Sequence, residues 1–307
     1  AAQPAPESPR VISAVAPVLN SSGTIDLIEG SGKTAKTVSL QGGRKVDHLY
    51  DYVRADGKVV ILVASETGLD FYDLWVVDDS GTGRQVHSHV LDAKLSRDGT
   101  KLAYTTADRS LVVEDISGSK LASAPAVNDF TWAPDHGAVF FTRMQENAQG
   151  ASLSAQELAR LNLASKSIEV VVGGLYDHSM PIMPPNGKFI VLVAGKAVGL
   201  PSFWKIEKGQ TIQLTNVRID ATGARWVPTP FSTAQFSEDG RWLVYDYKDG
   251  AIEQIWGLEF DDAGRVKRSI QLTEGLVPRW VGPDKFICLK AVNGVFEARV
   301  HSVPDTN

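Results

Sequence analysis

The chain of 307 residues carries one cysteine, three methionines, and 31 lysines and arginines that nowhere gather into a dense run. A single cysteine excludes an internal disulfide and a zinc site built on cysteine pairs. Cys288 lies within Lys285-Phe286-Ile287-Cys288-Leu289 and reads as a buried strand thiol. The net charge of −5 provides no basic stripe to follow a phosphate backbone, which excludes nucleic acid as a partner class. No apolar run approaches the roughly 18 residues that span a bilayer. Catalytic signatures are also lacking. There is no G-x-S-x-G elbow and no H-E-x-x-H pair, and in Ser237-Glu238-Asp239-Gly240 the glycine follows the aspartate too closely for a sialidase-type box. Gly30-Ser31-Gly32-Lys33-Thr34 lacks the first glycine of a P-loop, which would fall at Leu27, and strand-like sequence follows it, so a hairpin turn is expected.

What the chain does contain is a recurring turn. Arg54-Ala55-Asp56-Gly57, Ser96-Arg97-Asp98-Gly99, Ala133-Pro134-Asp135-His136-Gly137, Pro184-Pro185-Asn186-Gly187 and Ser237-Glu238-Asp239-Gly240 each follow a short strand-like run and precede an apolar one. Ser21-Ser22-Gly23 and Gly282-Pro283-Asp284-Lys285 are degraded copies, and successive copies lie 34 to 53 residues apart. A period in that range signals a repeat architecture. Glycine supplies positive φ in such turns, and an aspartate ahead of it bonds back to the backbone.

Each repeat offers up to four strands. Lys101 to Thr106 and Leu111 to Ile116 follow the second turn, Phe189 to Val193 and Ser202 to Ile206 follow the fourth, and Arg241 to Tyr245 and Gln254 to Leu258 follow the fifth. The run Ser154 to Leu161 has a helical look, but its place in the repeat makes Leu158 to Leu163 a third strand and Gln145 to Gln156 an extended loop. One such sheet cannot bury both of its faces alone, and radial packing about a channel solves the problem.

The pattern in Gln235-Phe236-Ser237-Glu238-Asp239-Gly240-Arg241-Trp242-Leu243, in Asp73-Leu74-Trp75-Val76-Val77-Asp78, and in the Gln-Leu-Thr endings at 213–215 and 271–273 resembles the repeats of the TolB-type β-propellers, also called PD40 or WD40-like repeats. The likeness covers roughly residues 45 to 302 and implies an all-β propeller of four-stranded antiparallel blades around a central channel. Seven blades are expected, with six as the alternative. The last blade lacks an outer strand, which Val11 to Val15 is expected to supply. Residues 1–10 are expected to be a flexible segment and 11–307 one propeller domain. Ala1 to Pro9 is rich in proline and alanine without an initiator methionine, as in a chain freed of a signal peptide, so an exported protein is expected.

In a propeller the connections that lead into each inner strand share one mouth of the channel, and the Asp-Gly turns lie at the other. Four of the six histidines fall in those connections. Candidate ligand-binding residues are therefore His48, Asp92, Asp129, Asp177 and His178, together with Arg225 and Trp226 from the long segment Asn216 to Ser232. Two readings stay open. In one, the protein has no enzymatic activity and binds a partner protein or peptide at the channel mouth, without a cofactor. In the other, the histidines and carboxylates converge on a divalent metal or a sugar, as in a lyase or hydrolase. Inner-strand carboxylates can also bond to backbone amides of neighbouring blades, a purely structural role. The turn itself reads as a fold marker on the face away from the site.

Overall fold

A computed structural model describes residues 15–55, 58–68, 71–146, 152–175, 178–194, 202–214, 234–249 and 252–304. Among these there is no α-helix. The first sheet joins β1 (Val15–Leu19), β2 (Ile25–Glu29) and β3 (Thr34–Val38). A seven-stranded sheet follows, made of β4 (His48–Ala55), β5 (Lys58–Gly68), β6 (Phe71–Asp78), β7 (Gly83–Leu95), β8 (Lys101–Thr106), β9 (Leu111–Asp115) and β10 (Lys120–Ala124). Three four-stranded sheets come next. They are β11 (Val127–Trp132) to β14 (Ile168–Leu175) by way of β12 (Ala138–Glu146) and β13 (Ser152–Asn162); β15 (His178–Ile182) to β18 (Gln210–Gln213) by way of β16 (Ile190–Ala194) and β17 (Ser202–Glu207); and β19 (Gln235–Phe236) to β22 (Val266–Glu274) by way of β20 (Trp242–Asp249) and β21 (Ile252–Phe260). The last sheet joins β23 (Leu276–Trp280), β24 (Lys285–Val292) and β25 (Val295–Ser302). Every pairing is antiparallel between strands consecutive in sequence.

The expected third strand at Leu158 lies within β13, which pairs with β12 from Asn162 to Ser152. The loop expected from Gln145 to Gln156 is corrected, because β12 runs to Glu146 and β13 begins at Ser152. The alternating Leu-Ala-Gln pattern extends the hairpin further than the polar composition suggests. The candidate P-loop is a hairpin turn between β2 and β3, with Gly32 N–H donating to Glu29 O at 2.8 Å. Cys288 is buried on β24, where burial pushes its thiol up to about 11.

Hydrophobic clusters lie between successive sheets and close on themselves. Val15, Leu27 and Val38 pack on Ile61 and Val63 of β5; Leu62 and Leu74 pack on Leu102 and Tyr104; Leu111 and Val113 pack on Phe130 and Phe141. Leu158 meets Ile190 and Leu192, Val191 and Phe203 meet Leu243 and Leu258, and Trp242 meets Trp280 and Phe286. Ala16, Val18 and Ile28 of the first sheet then meet Val281 and Ile287 of the last. Each buried aromatic ring at these seams contributes roughly 2–3 kcal/mol of burial. The first strand of each unit is thereby held innermost. The segment expected to complete the last sheet lies outside the described residues up to Ala14, and Val15 itself pairs with Glu29 in the first sheet.

The recurring turns explain their own composition. Ser237 Oγ donates to Asp239 Oδ1 at 2.5 Å and accepts from Trp242 N–H at 2.9 Å, while Asp239 Oδ1 accepts from Arg241 N–H. Ser96 and Asp98 repeat the arrangement toward Lys101 and Thr100. Against the cost of its own burial, the hydroxyl and amide donors hold the Asp98 carboxyl far below its ordinary range. The turns also interlock. A Cβ on Gly187, whose φ is +65°, would meet Pro134 Cγ at 2.9 Å, and one on Gly240 would meet Pro185 Cδ at 3.3 Å. The fourth turn therefore seats on the third, and the fifth on the fourth. In the third copy the left-handed residue is His136, with φ 55°, and not Gly137.

Candidate functional site

The inner strands carry polar side chains into the channel because their flanking positions already fill the seams between sheets. Asp51 Oδ2 on β4 accepts the Leu95 amide of β7 at 2.8 Å, and Oδ1 accepts the Tyr52 amide at 2.8 Å. Burial drives the Asp51 carboxyl up to about 6, against these bonds and the nearby Arg279 and Lys94. Asp129 on β11 accepts the Met180 amide of β15 at 3.3 Å, and burial raises its pKa. Both carboxylates thus bridge one inner strand to the next, the structural role that buried backbone amides demand.

Asp92 accepts the Ala93 amide at 2.8 Å and lies 3.6 Å from Lys94 Nζ, which also donates to Phe130 O. Asp92 and Asp129 therefore share the neighbourhood of Lys94. His48 begins β4, with its ring edge-on to Tyr50 at 4.8 Å. Burial first, and then Arg279, pushes its imidazole down to about 3, so the ring is neutral at physiological pH. The backbone of His178 pairs with Ala194 at the start of β15. Asp177, Arg225 and Trp226 lie outside the described residues. Among the described residues, no group of three or more His, Cys, Asp or Glu side chains is placed to hold a metal ion.

Residues that the sequence reading passed over dominate the other mouth. A cavity of about 520 Å³ opens among the recurring turns and takes its wall from the ends of β4, β7, β11, β15 and β19. Arg97, Pro134, Pro185 and Glu238, the residues just before the Asp or Asn of four turns, all line it. None of the described sequence candidates does. The wall combines the cations Arg54, Lys94 and Arg97 and the carboxylates Asp51 and Glu238 with apolar residues such as Ile182, Met183, Pro184 and Phe236. Arg54 pairs with Glu238 and donates to Val281 O at 3.2 Å, while Arg97 donates to Glu238 O at 3.1 Å. The Nδ1 of His136 lies 3.1 Å from Asp98 Oδ2, and its Nε2 is buried without a hydrogen-bond partner.

On β23, against β4, lies Arg279, 4% exposed. Its Nη2 donates to Leu49 O at 3.0 Å, its guanidinium faces the Tyr52 ring at 5.8 Å, and its Nη1 is buried without a partner. Tyr52 donates its hydroxyl proton to Trp280 O.

Against solved structures, the chain is similar to TolB from Acinetobacter baumannii, with TM-score 0.55 and 17% identity over 85% of this chain; it spans 64% of that one. It is similar to an oligogalacturonate lyase in complex with manganese, with TM-score 0.56 and 14% identity, covering 91% of this chain and 78% of the other. The β-propeller domain of Myceliophteria thermophila Cps50 (Swd1) superposes with TM-score 0.59 and 11% identity, covering 95% and 97% of the two chains. The fold is that of the TolB-like β-propellers. No family model matches the sequence, and no curated protein does. In propeller terms the cavity is the channel mouth on the side of the first hairpins, and the described sequence candidates sit nearer the other mouth.

Proposed function

We propose that this chain is an exported, non-enzymatic propeller that binds a partner protein or peptide at its channel mouth. Its body is one domain over residues 11–307. Seven blades are supported by the sequence of seams, in which the seven-stranded sheet acts as two units and the last seam joins β1 and β2 to β24. The observation that carries the binding reading is the 520 Å³ cavity, where inner-strand ends and turns bring Arg54, Lys94, Arg97 and Glu238 together with Met183, Pro184 and Phe236. Pockets that join apolar lining to a few placed polar groups are the usual form of a recognition site. The TolB-like fold supports the same reading by analogy of fold alone.

The second reading, a lyase or hydrolase acting on sugars through channel-mouth histidines and carboxylates, draws on the likeness to the manganese-bound oligogalacturonate lyase. The bonds of Asp51 and Asp129 to backbone amides favour the first. Capture of partners from the exported fraction of the source cell, with cross-links mapped onto this chain, tests it. A specific protein cross-linked at the channel mouth is expected. Tight, stoichiometric manganese together with sugar cleavage would favour the second reading.

A further inference from the structure

The polar atoms at the turn-side mouth fall into two groups. Arg54 is paired with Glu238, and Lys94 lies beside Asp92. Arg97 has only the Glu238 carbonyl, and no carboxylate lies within ion-pair distance of it among the described residues. His136 lines the cavity and holds a buried Nε2 without a partner, on a backbone at φ 55°, the left-handed conformation that glycine takes in the sister turns. Beneath them, Arg279 is a buried cation with one orphaned nitrogen and no carboxylate in ion-pair contact. The Asp51 carboxyl, which also lines the cavity, lies near enough to offset part of that charge.

We infer that the turn-side mouth recognises a peptide segment that carries a carboxylate next to an apolar side chain, with the carboxylate at Arg97 and His136 and the apolar side chain against Met183, Pro184 and Phe236. The inference rests on the binding reading above and names the chemistry of the partner. The apolar part of the wall favours a peptide over an acidic sugar, whose hydroxyl-rich faces would leave Met183 and Phe236 unmatched. A charge-assisted hydrogen bond contributes on the order of 1.5–3 kcal/mol, which corresponds to roughly ten- to a hundredfold in affinity.

The test uses the full chain and two immobilised hexapeptide pools, alike in having Leu, Phe, Ala or Ser at four positions. The other two positions carry Asp or Glu in one pool and Asn or Gln in the second. The acidic pool is expected to retain about tenfold more protein, and added salt should erode the difference. Arg97→Ala and His136→Gly should each reduce that retention at least about fivefold, whereas Lys120→Ala, on an outer strand, should leave it unchanged. Equal retention on the two pools, no retention on either, or retention indifferent to Arg97→Ala and His136→Gly overturns the inference. So does trigalacturonate binding at the mouth in place of the acidic peptides. A captured native partner that still binds both variants would leave the binding reading intact and reject only the chemistry assigned here.

Discussion

Arg279 donates through Nη2 to the carbonyl of Leu49 at 3.0 Å, a bond between residues 230 positions apart that ties the last sheet to β4. The same pair of strands is joined from the other side by the Tyr52 hydroxyl on Trp280 O. The last sheet is therefore held to the first two by buried polar bonds as well as by the seam of Val18, Ile28 and Ile287.

Tyr52→Phe leaves the Trp280 carbonyl without its donor. Loss of a bond to a buried acceptor costs about 1–3 kcal/mol. Chemical denaturation of the variant should show that loss with an unchanged denaturant slope, because the surface exposed on unfolding is the same.

Two channel groups set opposing pH dependences. His48 falls from 6.5 to about 3 on folding, so its contribution is complete above pH 6.5 and is lost as pH drops toward 3. Asp51 rises from 3.8 to about 6, so it penalises the fold above pH 6, and that penalty fades as pH falls toward 3.8. The two offset each other between pH 4 and 6, and below that His48 acts alone. His48→Gln should flatten the acid limb of the stability profile by roughly 2–4 kcal/mol, measured by urea titration from pH 3 to 7. Asp51→Asn should steepen the rise between pH 4 and 6.

Arg279 is the secondary cause of the low His48 pKa, after burial. Arg279→Leu should raise the His48 titration midpoint while leaving it below 6.5, as read from imidazole resonances by NMR. A midpoint that does not move would show that the two side chains are not coupled.

His136→Gly relieves a left-handed backbone at the cost of the contact with Asp98. The expected result is a change in stability within about 1 kcal/mol of zero, since glycine adopts positive φ freely. Thermal unfolding should show an almost unchanged midpoint even though the variant binds acidic peptides weakly. By contrast, Ser237→Ala removes a fully buried hydroxyl that serves both Asp239 and the Trp242 amide, and should cost about 1–3 kcal/mol.

The fold was legible because its punctuation is chemical. Serine and aspartate at the turns satisfy specific amides, and glycine takes the positive φ, so Ser96 to Gly99 and Ser237 to Gly240 declare themselves. Local pattern misled where context overrode it. The extra residue at Gly137 hid His136 as the left-handed position. The histidine-rich stretch after Gln85 looked like a connection, yet β7 runs through it from Gly83 to Leu95, bent at His89 with φ 61°. The cavity was harder to see because it is assembled from turns 38 to 53 residues apart. One signal was present: Arg97, Pro134, Pro185 and Glu238 hold the same position in four copies of the turn, so the repeat register itself places them at one mouth. Arg279 carried no local signal, because its partners Leu49 and Tyr52 lie at the far end of the sequence.

The central claim, that a partner binds at the channel mouth, is tested most directly by amide hydrogen exchange on the protein with and without its captured partner. Protection confined to the mouth, at Asp51 to Arg54, Leu95 to Arg97, Met183 and Gln235 to Glu238, is the result this account predicts. Protection confined to outer strands such as β10 and β14, with the mouth exchanging as in the free protein, would contradict it.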